Sequence, residues 1–416
     1  MLERLIHGLL SVALFLAVAV LFSTDRRAIR PRTVLAALAL QVAVGAVVLF
    51  WPLGRGALAA VAAGVQAVLA YGDRGTEFLF GGLVGPRMGE LFGDGGFVLA
   101  FRVLVPIIYV SALIGVLYHL GLMQALARAL GAALQRLLGT SRIETFAAVV
   151  TIFIGQSEIA VALRPFLALL TRAELFAVMT SGAASTAGSI LAGYAALGVP
   201  MPYLLAASFM AIPGGLLYAK ILVPSTEPSR VTTMRVEFGE RRAVNLFEAA
   251  ADGAQKGLAV AVAVGAMLVA FVGLIALADG LVAGLGRLAG LPGASLQGGL
   301  GLVFAPLARL LGVPAEHAAL VGGAIGQKIA FNEFLAYATL SPVLRSGELG
   351  PRTTAILCFA LCGFANLASI AIQLASFGSL VPERRSEVAA LGLRAILAGT
   401  LSNLTSAAIA GVFIAG

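Results

Sequence analysis

The sequence predicts an all-α integral membrane protein: about eight transmembrane helices plus two re-entrant helical hairpins in inverted repeats, with interfacial helices alongside. Three observations predict it. Hydrophobic residues make up 60% of the 416 and charged ones only 12%, where soluble domains carry about 25% charged residues. Long apolar runs recur along the whole chain, separated by short arginine-bearing loops. Two further apolar stretches, 143–170 and 315–341, are each interrupted midway by polar residues that include a glutamate. The 50 glycines suit helices packed closely in lipid, where small residues let backbones approach.

In chain order, the run 5–22 is longer than a signal-peptide core and lacks a clear small-residue cleavage site, so it reads as a retained first helix. Further crossings are expected near 34–51, 97–118, 173–198, 203–223, 257–289, 352–377 and 389–414. The loop 23–33 has four arginines against one aspartate, whereas 72–94 has two arginines against four acids. Placing the arginine-rich loops in the cytoplasm puts both termini outside. The net charge of +8 fits this bias and does not indicate nucleic-acid binding, because the arginines sit between apolar segments and line no single face. The amphipathic stretch 123–138, with Arg128 and Arg136 on its polar side, and the alanine-rich 56–70 read as interfacial or as ordinary packing helices. The mixed-charge stretch 224–246, with Pro224 and Pro228, reads as the one soluble connection.

The two interrupted stretches carry the chemistry. In the first, ten-residue apolar arms flank Gly155-Gln156-Ser157-Glu158. Such an arm spans roughly 15 Å, half of a ~30 Å hydrocarbon core, which places the tetrapeptide near the midplane. A carboxylate at that depth is costly and marks a substrate or ion site. Glycine permits the chain reversal, and Ser157 can cap the second half-helix. Gln156 offers donor and acceptor and Glu158 adds acceptor oxygens, which suits reading the edge of a neutral heterocycle. The plain alternative is a capping box and packing turn. In the second, Gly326-Gln327-Lys328 precedes Phe331-Asn332-Glu333-Phe334. Glu333 can accept charge-assisted bonds from two sugar hydroxyls; the competing expectation is an internal Lys328–Glu333 ion pair.

Ser181, Ser185 and Ser189 recur every four residues as a polar stripe with Thr186 beside it, while Asn366 and Ser369 are neighbours on one helix face near Phe364. Each hydroxyl alone is more often a helix–helix hydrogen bond than a ligand. The sequence contains no HExxH, Walker A or G-x-S-x-G pattern, and its three histidines are scattered. Cys358 and Cys362, four apart in an apolar run, read as packing residues. A weak repeat relates 143–223 to 315–414: broken hairpin, polar helix, helix. Inverted repeats of this kind hold midplane sites in secondary transporters.

GQSE followed by RPFLALLTRAELFAVMTSGAASTAGSILAGY, with LLAASFMAIPGGLLYAKILVP, FNEFLAY, CGFANLASIAIQ and VPERRSEVAALGLRAILAGTLSNLTSAAIAG in the same order, resembles the concentrative nucleoside transporters over about 95–416. The resemblance implies a homotrimer in the bacterial inner membrane that takes up nucleosides with a cation as a mobile transport domain moves, elevator-like, against a scaffold. It implies nucleobase contacts from Gln156 and Glu158, with Ser157 between them, and ribose contacts from Glu333, Asn366 and Ser369. Phe364 then lines the site and Ile190 packs on the base. The family's sodium site maps to Thr151, the carbonyls of Ile154 and Thr186, and Ser185. Thr151 stands where sodium-coupled members typically carry asparagine, so Na⁺ and H⁺ both stay open as coupling ion. No cofactor is implied.

The expected organisation is 1–142 as mainly scaffold, 143–223 as first repeat, 224–296 as linker and long scaffold helix, and 297–416 as second repeat. A nucleoside symporter in contact with membrane lipid is the favoured function. A carrier of nucleobases or another polar metabolite, a passive channel, or a membrane-embedded enzyme are the rivals.

Overall fold

The structure, a computed structural model, describes residues 1–85, 87–231, 243–288, 290 and 293–415. They are helical, with no strand among them. The N-terminal part runs α1 (Leu2–Leu21), α2 (Pro31–Gly45), α3 (Pro52–Phe80), a short α4 (Arg87–Phe92), α5 (Val105–His119) and α6 (Leu122–Leu138). Then come α7 (Arg142–Ala162), α8 (Arg172–Ala184), α9 (Gly188–Ala196), α10 (Met201–Leu222) and a 43-residue α11 (Leu246–Leu288). The C-terminal part is α12 (Leu296–Leu310), α13 (Ala315–Ala330), α14 (Glu333–Ser346), α15 (Gly350–Leu361), α16 (Ala368–Leu380) and α17 (Arg385–Phe413).

Local chemistry explains many of the helix starts. Proline sits in the first turn of α2, α3, α5, α10 and α15, where its missing N–H costs nothing. Thr171 and Glu174 form a capping box on α8: Glu174 N donates to Thr171 Oγ1 at 3.2 Å and Thr171 N to Glu174 Oε2 at 2.9 Å. Asn332 caps α14 by accepting from Leu335 N at 2.8 Å.

The helices sort by burial. α8, α10 and the second half of α17 are enclosed on nearly every side and pack on one another, with α7, α15 and α16 around them. By contrast α11 and α3 expose large apolar side chains such as Val269, Leu281 and Phe78. α11 packs on α5 through Gly253 and Gly257, four residues apart; a Cβ on Gly257 would lie 2.8 Å from Ile108 Cα, so only glycine allows this approach.

Besides α12, which no predicted segment covered, the elements differ from the sequence expectation in three places. The run 173–198 is not one continuous helix: it breaks at Ser185–Ala187 into α8 and α9. The run 352–377 breaks at 362–367 into α15 and α16 of 12 and 13 residues. At a rise of about 1.5 Å per residue each covers roughly 20 Å, too short to cross alone. The serine stripe is therefore interrupted, since Ser181 ends one helix and Ser189 starts another. Third, the alanine-rich 56–70 is the middle of the 29-residue α3. Nine helical spans among the described residues are long and apolar enough to cross a membrane, and α3 and α7 are among them. The stretch 123–138 forms α6, which buries Ala127, Gly131, Leu134 and Leu138 and leaves Arg128 and Arg136 exposed. Of the connection 224–246, residues 232–242 lie outside the described ones. Cys358 and Cys362 are free, buried thiols.

A candidate binding site where four broken helices meet

Both interrupted stretches break at the polar residues. α7 passes through Gly155 with φ 79° and ψ 179°, outside the range that residues with a Cβ readily adopt. The second stretch breaks between α13 and α14 at Phe331-Asn332, and Glu333 opens α14. These two breaks and the unwound segments 185–187 and 362–367 come together. A Cβ on Gly155 would lie 3.0 Å from Ala187 Cβ, 3.2 Å from Glu158 Oε2 and 3.7 Å from the Phe364 ring. Phe364 N donates to Ser185 O at 3.1 Å, tying two unwound segments to each other, and Leu367 N donates to Ile329 O at 3.1 Å, tying one of them to the end of α13. Backbone groups freed by unwinding are thus satisfied by other unwound backbone or by a helix end, as burial demands.

The predicted side chains form one hydrogen-bonded chain across this junction. Gln156 Nε2 donates to Ser369 Oγ at 2.9 Å, and Ser369 N donates to Asn366 Oδ1 at 2.9 Å. Asn366 Nδ2 donates to Glu333 Oε2 at 3.1 Å. Gln156, Glu333, Asn366 and Ser369 are all buried. Ser157 and Glu158 are half-buried just after the break at Gly155. Lys256 of α11 lies within electrostatic reach of the Glu158 carboxylate. Ile190 sits in the first turn of α9 and is buried. Phe364 lies in the 362–367 break, its ring against Gly155.

Two partners were invisible to the sequence argument. Tyr194, fully buried in α9, donates its hydroxyl to Glu333 Oε1 at 2.8 Å. Gln373 donates from Nε2 to Gln156 Oε1 at 3.3 Å and to Met179 O at 2.9 Å. The spacing of Asn366, Ser369 and Gln373 on one helix face is a signal that could have found Gln373; nothing local singles out Tyr194. The Lys328–Glu333 ion pair is not formed among the described residues: Lys328 Nζ donates instead to Asn403 Oδ1 at 2.6 Å and to Ala360 O at 2.9 Å.

The four residues of the sodium-site pattern flank the contact of the first two breaks. Thr151 and Ser185 donate their hydroxyls to Ala148 O at 3.2 Å and Ser181 O at 2.8 Å, which leaves their oxygens able to accept. Thr186 Oγ1 lies 3.4 Å from Cys362 Sγ. Ile154 precedes the break at Gly155, where the carbonyls ending the first half-helix lose their intrahelical partners. A Cβ on Gly188 would lie 3.4 Å from Phe153 O and 3.6 Å from Ile152 O, so these carbonyls face the start of α9.

Apolar helices that span the chain, discontinuous at one buried junction lined with acceptors and donors, define a multi-pass membrane transporter. The chain matches the family descriptions "Na+ dependent nucleoside transporter N-terminus" over 10–83, "Nucleoside recognition" over 100–201 and "Na+ dependent nucleoside transporter C-terminus" over 203–411. It is 45% identical to the nucleoside permease NupC of Helicobacter pylori over 98% of both chains. Among solved structures it is similar to CNTnw in an inward-facing substrate-bound state, with a TM-score of 0.94, 49% identity and coverage of 99% and 98% of the two chains. A CNTnw variant in an outward-facing state matches with a TM-score of 0.93 and 49% identity over 98% and 97%. The chain belongs to the concentrative nucleoside transporter family.

Proposed function

We propose that this protein is a cation-coupled symporter that imports nucleosides across the bacterial inner membrane. The single observation that carries the reading is the continuous polar chain Gln156–Ser369–Asn366–Glu333–Tyr194, which joins both interrupted stretches at a buried junction. An amide, a hydroxyl and a carboxylate held in that order match the edge of a base next to a pair of sugar hydroxyls.

In this reading Gln156, Ser157 and Glu158 hold the nucleobase, while Ile190 and the Phe364 ring pack on its face. Glu333, Asn366 and Ser369 hold the ribose. Of the two Glu333 oxygens, Tyr194 and Asn366 each occupy one lone-pair direction, and the remaining directions accept the sugar hydroxyls. The coupling ion, Na⁺ or H⁺, acts at Thr151, Ile154, Ser185 and Thr186, where it completes the site and favours the loaded, movable state. Residues 143–223 and 297–416 form the moving transport domain as two inverted repeats with re-entrant hairpins. Residues 1–142, the connection and α11 form the scaffold, and three copies assemble through it. Elevator-type movement is supported by the likeness to CNTnw in both inward-facing and outward-facing states. No enzymatic step is part of this function.

The test is uptake of radiolabelled uridine into proteoliposomes under separately imposed sodium and proton gradients. Accumulation driven by one gradient assigns the ion. Uptake indifferent to both removes coupling and leaves a passive route, and selective uptake of free bases over nucleosides removes the sugar-reading role of Glu333.

A further inference from the structure

Helices that stop inside a membrane protein leave carbonyl groups without partners and concentrate negative partial charge at their C-terminal ends. Two such ends lie side by side here: α8 stops at Ala184 and α15 at Leu361, each followed by an unwound segment of the junction. In membrane transporters, ends of this kind attract cations. The group found at this pair is a lysine of the chain itself. Lys328, 1% exposed, reaches from α13 and donates to Ala360 O at 2.9 Å and Asn403 Oδ1 at 2.6 Å. Asn403, 2% exposed on α17, then donates both amide hydrogens, to Ala184 O at 2.7 Å and Cys362 O at 2.9 Å.

We infer that Lys328 is a positioning residue of the transport site: a tethered cation that, through Asn403, holds the two half-helix ends in register. This rests on the reading of the junction as a nucleoside site. Four helices, α8, α13, α15 and α17, are joined by one ammonium and one amide. The segments that leave the two clipped ends carry Ser185 and Thr186 on one side and Phe364 and Asn366 on the other. The clip therefore sets the spacing between the sodium-site pattern and the sugar-binding pattern. Its geometry leaves no room for a substitute on the neighbouring backbone: a Cβ on Gly363 would lie 2.7 Å from both Ala184 O and Asn403 Nδ2. Lys328 spends its bonds on Ala360 and Asn403 and none on Glu333, so that carboxylate keeps its oxygens for Tyr194, Asn366 and the passenger.

The experiment compares wild type, Lys328→Ala, Lys328→Met and Asn403→Ala as purified full-length proteins. Uridine affinity is measured by equilibrium binding with and without added ammonium chloride, and melting temperature is measured in parallel. Lys328→Ala and Asn403→Ala are expected to weaken uridine binding by about tenfold or more. Ammonium, which fits the space left by the alanine, restores part of the affinity of Lys328→Ala. It restores none for Lys328→Met, whose side chain fills that space, and none for Asn403→Ala. A purely structural lysine would show no such selective rescue. Wild-type affinity in Lys328→Ala, or a loss that ammonium does not change, overturns the inference. If Lys328→Ala does not fold, Asn403→Ala decides by the same binding measurement, and wild-type affinity there overturns the clip. Should the wild type itself bind no uridine, the nucleoside reading fails instead. Additive melting shifts in the Lys328→Met, Asn403→Ala double mutant then separately overturn the clip.

Discussion

Replacing Glu333 by glutamine tests the site with almost no change of shape. The carboxylate accepts from Tyr194 at 2.8 Å and from Asn366 at 3.1 Å. Asn366 Oδ1 is already occupied by Ser369 N, so the Asn366 amide cannot turn round to accept from a new donor. The glutamine must therefore aim its oxygen at Asn366 and its NH₂ at the Tyr194 hydroxyl, which can rotate to accept. Internal bonds survive, and the fold should melt within a few degrees of wild type. What disappears is acceptor capacity toward the passenger: a carboxylate offers about four lone-pair directions and an amide oxygen about two. One charge-assisted bond to a sugar hydroxyl is lost and the other weakened. At about 1.5–3 kcal/mol for a hydrogen bond to a charged group, uridine affinity should fall about 10- to 150-fold. Equilibrium binding and proteoliposome uptake both read this loss. Uridine uptake within about threefold of wild type, a difference below 0.7 kcal/mol, refutes the reasoning and favours a passenger without ribose.

The other predictions concern the frame of the site. Gly155→Ala places a Cβ at a backbone conformation glycine alone tolerates and 3.0 Å from Ala187 Cβ, at a cost of about 1–3 kcal/mol; uptake should drop sharply while the protein still inserts, and unchanged uptake would show that the break tolerates a side chain. Gln373→Leu removes the donor that orients Gln156, and should raise the uridine KM by about 5- to 30-fold for a bond worth 1–2 kcal/mol, with kcat little changed. Lys220 bonds Glu144 as a buried ion pair at the start of α7, so Lys220→Met leaves an uncompensated carboxylate and should cost about 3–5 kcal/mol, seen as a clear fall in melting temperature that Glu144→Gln added to it partly reverses.

Much of this molecule was legible without a fold. Apolar runs located most of the main helices, though none pointed to α12 and only the middle of α3 was marked. Gly155 and the Phe331-Asn332 step break their helices, and of the side chains singled out there Gln156, Glu333, Asn366 and Ser369 are joined by hydrogen bonds. The expectation failed at 173–198 and 352–377, each read as one continuous helix. TSGAASTAGSILAGY contains no proline, and nothing in its pattern marks Ser185–Ala187 as unwound. The same is true of Tyr194, an unremarkable tyrosine until α9 is seen to turn it toward Glu333, and of Lys328, whose nearest carboxylate in the chain is not the group it bonds.

Composition determined that this chain is a membrane protein, and acidic residues inside two apolar runs pointed to polar breaks there, because moving apolar surface or charge between water and oil is a large, local cost that each residue carries alone. The unwinding of α8 from α9 and of α15 from α16 was decided by tertiary structure. A buried helix opens only where distant groups accept and donate in place of its own ladder, and those groups are Ser185 O for Phe364 N and the Asn403 amide for Ala184 O and Cys362 O. The partner of Ala184 lies 219 residues away in the chain, beyond any pattern that local sequence can encode.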